Sequence, residues 1–144
     1  MNRNGKLEIQ NIIEKILQKH NIDPSAESYY LKLRMSSYDD LVIEKEGEQV
    51  LVGHYYHHPS GDLISDPVLA FDYSNGYWFP VRIEQVLGDT ICSFIENGKR
   101  MIYPARIKEF KSFQRMFARN IKDQKWFENG AVGKICINNY DIEK

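Results

Sequence analysis

Val68-Leu69-Ala70-Phe71-Asp72-Tyr73-Ser74-Asn75-Gly76-Tyr77-Trp78-Phe79-Pro80-Val81-Arg82-Ile83 is the stretch on which the fold turns. Two apolar runs, Val68 to Tyr73 and Tyr77 to Val86, flank Ser74-Asn75-Gly76. Asn-Gly readily adopts the positive φ angles of a tight turn, so the runs pair as an antiparallel hairpin. A second Asn-Gly, in Glu96-Asn97-Gly98-Lys99, joins Ile91 to Ile95 with Arg100 to Tyr103 in the same way. Upstream, from Ser28, the residues Tyr29, Leu31, Leu33 and Met35 alternate with Tyr30, Lys32 and Arg34, the period of a half-buried strand. A turn at Ser36-Ser37-Tyr38-Asp39 leads to Leu41-Val42-Ile43-Glu44-Lys45, and Glu46-Gly47-Glu48 leads into the run Val50 to His58. Short sequential hairpins favour an antiparallel meander over a parallel sheet.

Outside the strands the period becomes helical. Ile9, Ile12, Ile13, Ile16 and Leu17 fall on one side of a helix over residues 7–20, which ends near Asn21 and Pro24. Beyond Pro104, Ile107, Phe110, Phe113, Phe117 and Ile121 form an apolar stripe that covers a face of the sheet, with Trp126 and Phe127 clamping the helix end. The expectation is an α+β fold in one domain, residues 1–144. It comprises an antiparallel meander of about six strands over 28–103, with packed helices over 7–20 and 105–127. Residues 130–144 read as a polar tail, whose Lys134-Ile135-Cys136-Ile137 is either a short edge strand or disordered.

The 144 residues are 42% hydrophobic and 27% charged, the composition of a globular domain with enough core to fold without staples. No membrane-length apolar run or signal-peptide core is present, and Cys92 and Cys136 lie in no ligand-like spacing. A cytoplasmic protein with reduced thiols and no cofactor is expected. The net charge of −1 excludes a uniformly basic protein, but its distribution is uneven. Residues 99–125 hold nine basic residues against Glu109 and Asp123, a net of +7; the remaining ten basic and eighteen acidic residues give −8. On the second helix Lys108, Lys111, Arg115, Arg119 and Lys122 lie within about 80° of each other, nearly opposite the apolar stripe. This basic ridge suits a phosphate backbone or an acidic protein surface, or is simply solvated.

Other constellations carry less chemistry. Gly53-His54-Tyr55-Tyr56-His57-His58-Pro59-Ser60-Gly61-Asp62 holds three of the four histidines, which makes His54 and His58 metal-ligand candidates. Strand geometry opposes the pair: the two share a face about 13 Å apart. Asp62 and Asp66, four residues apart, are candidates with His54 for acid–base or metal-dependent hydrolysis, but such residues also shape turns. Phosphate-loop, dinucleotide, nucleophile-elbow and His-Glu-x-x-His motifs are absent. Tyr30, Tyr55 and His57 on an open sheet face would offer bases a stacking surface; core and cross-strand packing is the competing role.

The run His54-Tyr55-Tyr56, then Gly61-Asp62-Leu63, Asp66-Pro67 and Phe71, resembles an uncharacterised bacterial and archaeal domain family frequent on plasmids and other mobile elements. Members of that family resemble His-Tyr-Tyr, a polar insertion, Asn-Gly-Asp-Leu, two or three residues, Asp-Pro and an apolar strand ending in Phe. Here His-Pro-Ser-Gly stands before the aspartate. The segment Phe117 to Phe127 is similar to the family's aromatic stretch followed by Asn-Leu-Lys-x-Gln-Gly-Phe, with Lys125-Trp126 replacing the glycine. The resemblance spans roughly residues 28–128, with Asp62, Asp66 and Asn120 at matching positions. It implies a bacterial protein of a mobile element and no particular activity. Taken together, an accessory protein that binds nucleic acid or an acidic partner is expected, rather than an enzyme. A homodimer joining Asp39, Asp40, Glu44, Glu46 and Glu48 to the basic ridge is a further alternative.

Overall fold

The computed structural model of the chain describes residues 5–138 together with 140 and 141. In chain order it forms helix α1 (Glu8–Lys19) and strands β1 (Ser28–Met35), β2 (Tyr38–Glu46), β3 (Gln49–His57), β4 (Leu63–Ser74), β5 (Tyr77–Glu84), β6 (Thr90–Ile91), β7 (Ser93–Glu96) and β8 (Lys99–Ile102). Helices α2 (Pro104–Asp123) and α3 (Trp126–Asn129) follow, then strands β9 (Ala131–Ile137) and β10 (Tyr140–Asp141). This is the α+β arrangement that the two periodicities predict, with both long helices packed on an antiparallel sheet.

Local chemistry accounts for the punctuation. Asn75 and Gly76 take φ +51° and +81°, and Asn97 and Gly98 take +53° and +76°, so each Asn-Gly makes the tight turn that its residues favour. Helix α1 closes with Asn21 at φ +61°, Asn21 N–H donating to Gln18 O and Ile22 N–H to Leu17 O. That is a Schellman ending, and the buried Ile22 supplies its apolar contact. Pro104 starts α2, where a missing N–H leaves no intrahelical bond unmade.

Strands β1 to β6 run as a meander, but the sheet is wider than the six strands expected. Its order is β10-β9-β1-β2-β3-β4-β5-β6, and the β7–β8 hairpin forms a separate two-stranded sheet. The segment read as a polar tail contains β9, which pairs antiparallel with β1, Leu31 opposite Ile135. Strand β1 is therefore hydrogen-bonded on both sides. Helix α2 also ends earlier than expected. Lys125 takes φ +67° and separates it from α3, whose Trp126 is fully buried while Phe127 is exposed.

Strand β4 begins at Leu63, before the expected Val68, so Asp66, a candidate acid or turn residue by sequence, lies within the strand. Gly53 pairs with Val68 and Tyr55 with Ser65, so His54 alone on β3 faces two residues, Asp66 and Pro67, on β4. The irregularity is a bulge, where a proline without an N–H is tolerated, and the Asp66–Pro67 peptide is cis. The backbones come so close here that a Cβ on Gly53 would lie 2.3 Å from Pro67 O and 2.6 Å from Val68 Cα.

The core lies between the sheet and the helices. Leu31, Leu33, Leu41, Ile43, Val50, Val52, Leu69, Phe71 and Trp78 meet Ile9, Ile13, Ile16 and Leu17 of α1 and Phe110, Phe117 and Ile121 of α2. Two buried glutamines fix the helices in place. Gln10 accepts from Trp78 N–H and donates to Gly76 O, tying α1 to the β4–β5 turn. Gln114 accepts from Ile9 N–H and donates to the Glu8 carboxylate and Lys111 O. Leu7 has no capping side chain, so Gln114 satisfies a free N–H at the start of α1 from the neighbouring helix.

Candidate nucleic-acid interface

The buried side of α2 is set by Phe110, Gln114, Phe117, Ala118 and Ile121, which turns the basic residues outward. Lys108, Lys111, Arg115, Arg119 and Lys122 are all exposed. At 1.5 Å per residue the row spans about 21 Å. Arg115 Nε lies 3.3 Å from Glu8 Oε2. Among the described residues, Lys108, Lys111, Arg119 and Lys122 form no ion pair. The acidic strand residues therefore do not neutralise the ridge within the chain.

One end of α1 borders this row. Burial pushes the Glu8 carboxyl up, but hydrogen bonds from Gln114, its own backbone and Arg115, together with the Arg115 charge, outweigh it, and the group lies below its ordinary range. Glu8 is thus a charged partner that orients Arg115. A cleft of about 580 Å³ opens beside the pair, lined by Leu7, Tyr77, Lys111, Gln114 and Arg115 among others. Sequence reading missed Glu8, Gln114 and Tyr77 as neighbours of the ridge. The only local signal was a polar residue, Gln114, amid the apolar stripe.

The opposite sheet face has different electrostatics. Tyr30 and Tyr55 are half-buried and His57 is exposed in a groove of about 370 Å³ that also holds Asp39, Asp40 and Glu44. Burial first, then Glu84 and Glu44, pushes the Tyr55 phenol up to about 12; burial, Glu44 and Asp40 raise Tyr30. Carboxylates that hold phenols protonated also repel phosphate, so these rings make a poor stacking surface for nucleic acid.

His54, Asp62 and Asp66 have separate partners. The His54 ring packs edge-on to Phe117 at 5.6 Å and lies 5.7 Å from Trp126; its Nδ1 is 3.1 Å from Asp39 O. A carbonyl only accepts, so Nδ1 carries the proton. Asp62 is exposed in the turn after β3, where His58 N–H donates to its carbonyl and Ser60 Oγ lies 3.4 Å from Oδ2. Asp66 Oδ1 is 3.4 Å from Val86 N. His58 lies beyond the end of β3, with Nδ1 3.1 Å from Ser60 Oγ, rather than on a strand face shared with His54. Among the described residues no group of three or more His, Cys, Asp or Glu is arranged to hold a metal ion. Asn120 is exposed on α2. No described helix is long and apolar enough to cross a membrane.

Residues 10–127 match the model of a family described as "Domain of unknown function (DUF6908)". An uncharacterised family is what the resemblance implies, and the match begins upstream of the first strand, within α1. Neither a curated protein nor a solved structure matches the chain.

Proposed function

The chain belongs to the DUF6908 family, and on that premise we propose that it is an accessory protein that binds nucleic acid through the exposed basic face of α2. One observation carries this reading: four aligned cations, Lys108, Lys111, Arg119 and Lys122, are exposed and without an ion pair among the described residues. Each phosphate that such a cation neutralises releases counterions from the nucleic acid, which makes binding favourable and salt-dependent. The alternative of a hydrolase draws no support from His54, Asp62 and Asp66, whose contacts run to different groups.

The setting proposed with it is the bacterial cytoplasm and a mobile genetic element. The free thiols Cys92 and Cys136 support the first, and the resemblance of the His54 to Phe71 pattern supports the second. Titrating labelled single- and double-stranded DNA and RNA across a salt series tests the reading. Binding at about 50 mM salt that weakens steeply as salt rises is expected. Binding to none of them would overturn it and leave an acidic protein partner to pursue.

A further inference from the structure

We infer that the cleft beside the basic ridge takes an unpaired base of a single-stranded nucleic acid, with the flanking phosphates on Lys111 and Arg115. This rests on the nucleic-acid reading and narrows its substrate.

Three features of the cleft support it. At about 580 Å³ it has the size of a small-molecule site, room enough for one nucleotide. Tyr77 is among its lining residues, and the half-buried Tyr77 ring packs edge-on to Phe79 at 6.3 Å. Base–aromatic stacking tolerates any sequence, because every base has a π-face. Burial raises the Tyr77 phenol, so its hydroxyl stays a neutral donor.

Charge completes the arrangement. Lys111 belongs to the ridge and also lines the cleft, so a strand that follows the ridge passes its mouth. Glu8, an acid in the lining, is already engaged by Arg115 at 3.3 Å and by Gln114 at 2.7 Å. The Arg115 charge offsets that of Glu8, and Lys111 leaves the lining net positive. The bases of a duplex are stacked and paired, so a duplex can use the ridge but not the cleft. That difference separates the inference from the broader reading.

The test uses the full chain, a labelled single strand of about 12 nucleotides, within the usual site sizes, and the matching duplex. Tyr77→Ala should weaken single-strand binding by about 5-fold or more, the low end for loss of one stacked base, and leave duplex binding unchanged. Tyr77→Phe, which keeps the ring, should retain single-strand binding. Thermal melts of both variants confirm that the fold is intact. Wild-type binding to single strands that ignores the loss of the Tyr77 ring would overturn the inference alone, as would equal losses on single strand and duplex. Absence of wild-type binding to either probe would instead overturn the nucleic-acid reading, and the inference with it.

Discussion

The His54 ring is wedged between Phe117, Trp126 and the Asp39 carbonyl. Burial lowers its pKa from the ordinary 6.5, against the opposing pull of the Asp39 and Asp40 backbone and the Asp39 charge. Between the ordinary value and the lower folded value the unfolded chain binds more protons than the folded one. The stability contributed here is therefore complete above about pH 6.5 and declines as pH falls through that window. Urea melts at about pH 7.5 and 5.5 should show this loss, and His54→Gln should reduce it, leaving the part contributed by His20, whose pKa burial lowers in the same way. An equally steep loss in the variant would contradict the assignment. Gly53 gives a second residue-scale expectation: Gly53→Ala should cost about 1–3 kcal/mol in urea melts, because its Cβ meets backbone that cannot swing aside. The histidine cluster was legible as residues, but its role was not. Which imidazole lies under α2 depends on packing across more than sixty residues of chain.

Elements whose determinants are local were readable. The Asn-Gly turns, the alternation of β1 and the apolar stripes of α1 and α2 each declare themselves within a few residues. Strand β9 was legible only as one of two alternatives, because Ile135 is its one buried side chain and its partner β1 lies about a hundred residues upstream. The buried glutamines were hidden. Gln114 bonds Ile9 across 105 residues and Gln10 bonds Trp78 across 68, and nothing near either side chain announces its partner. Because Gln114 both satisfies Ile9 N–H and grips Glu8, Gln114→Leu should preserve bulk yet cost about 1–3 kcal/mol, the penalty of stranded buried polar groups. Chemical denaturation measures it; wild-type stability would mean that α1 and α2 are held by apolar packing alone.

Over the whole molecule, a net charge of −1 conceals a separation in space as well as in sequence. The helical side presents the ridge, while Asp39, Asp40 and Glu44 lie in the groove on the other side of the sheet. Such a field steers an anionic polymer toward one side and away from the other. The ridge was legible because an amphipathic helix reveals its solvent face in sequence. The cleft was not, since Glu8, Tyr77 and Lys111 converge only after α1, the β4–β5 turn and α2 pack. The direct measurement is the salt dependence of single-strand binding by the wild type and by Lys108→Glu, Lys111→Glu, Arg119→Glu combined, a variant that leaves the apolar stripe untouched. With four unpaired ridge cations engaged, log Kd against log salt should have a slope of about 3 in magnitude, and the variant should lose most of the affinity and most of the slope. A salt-insensitive wild type, or a folded variant that binds as tightly, would contradict nucleic-acid recognition by α2.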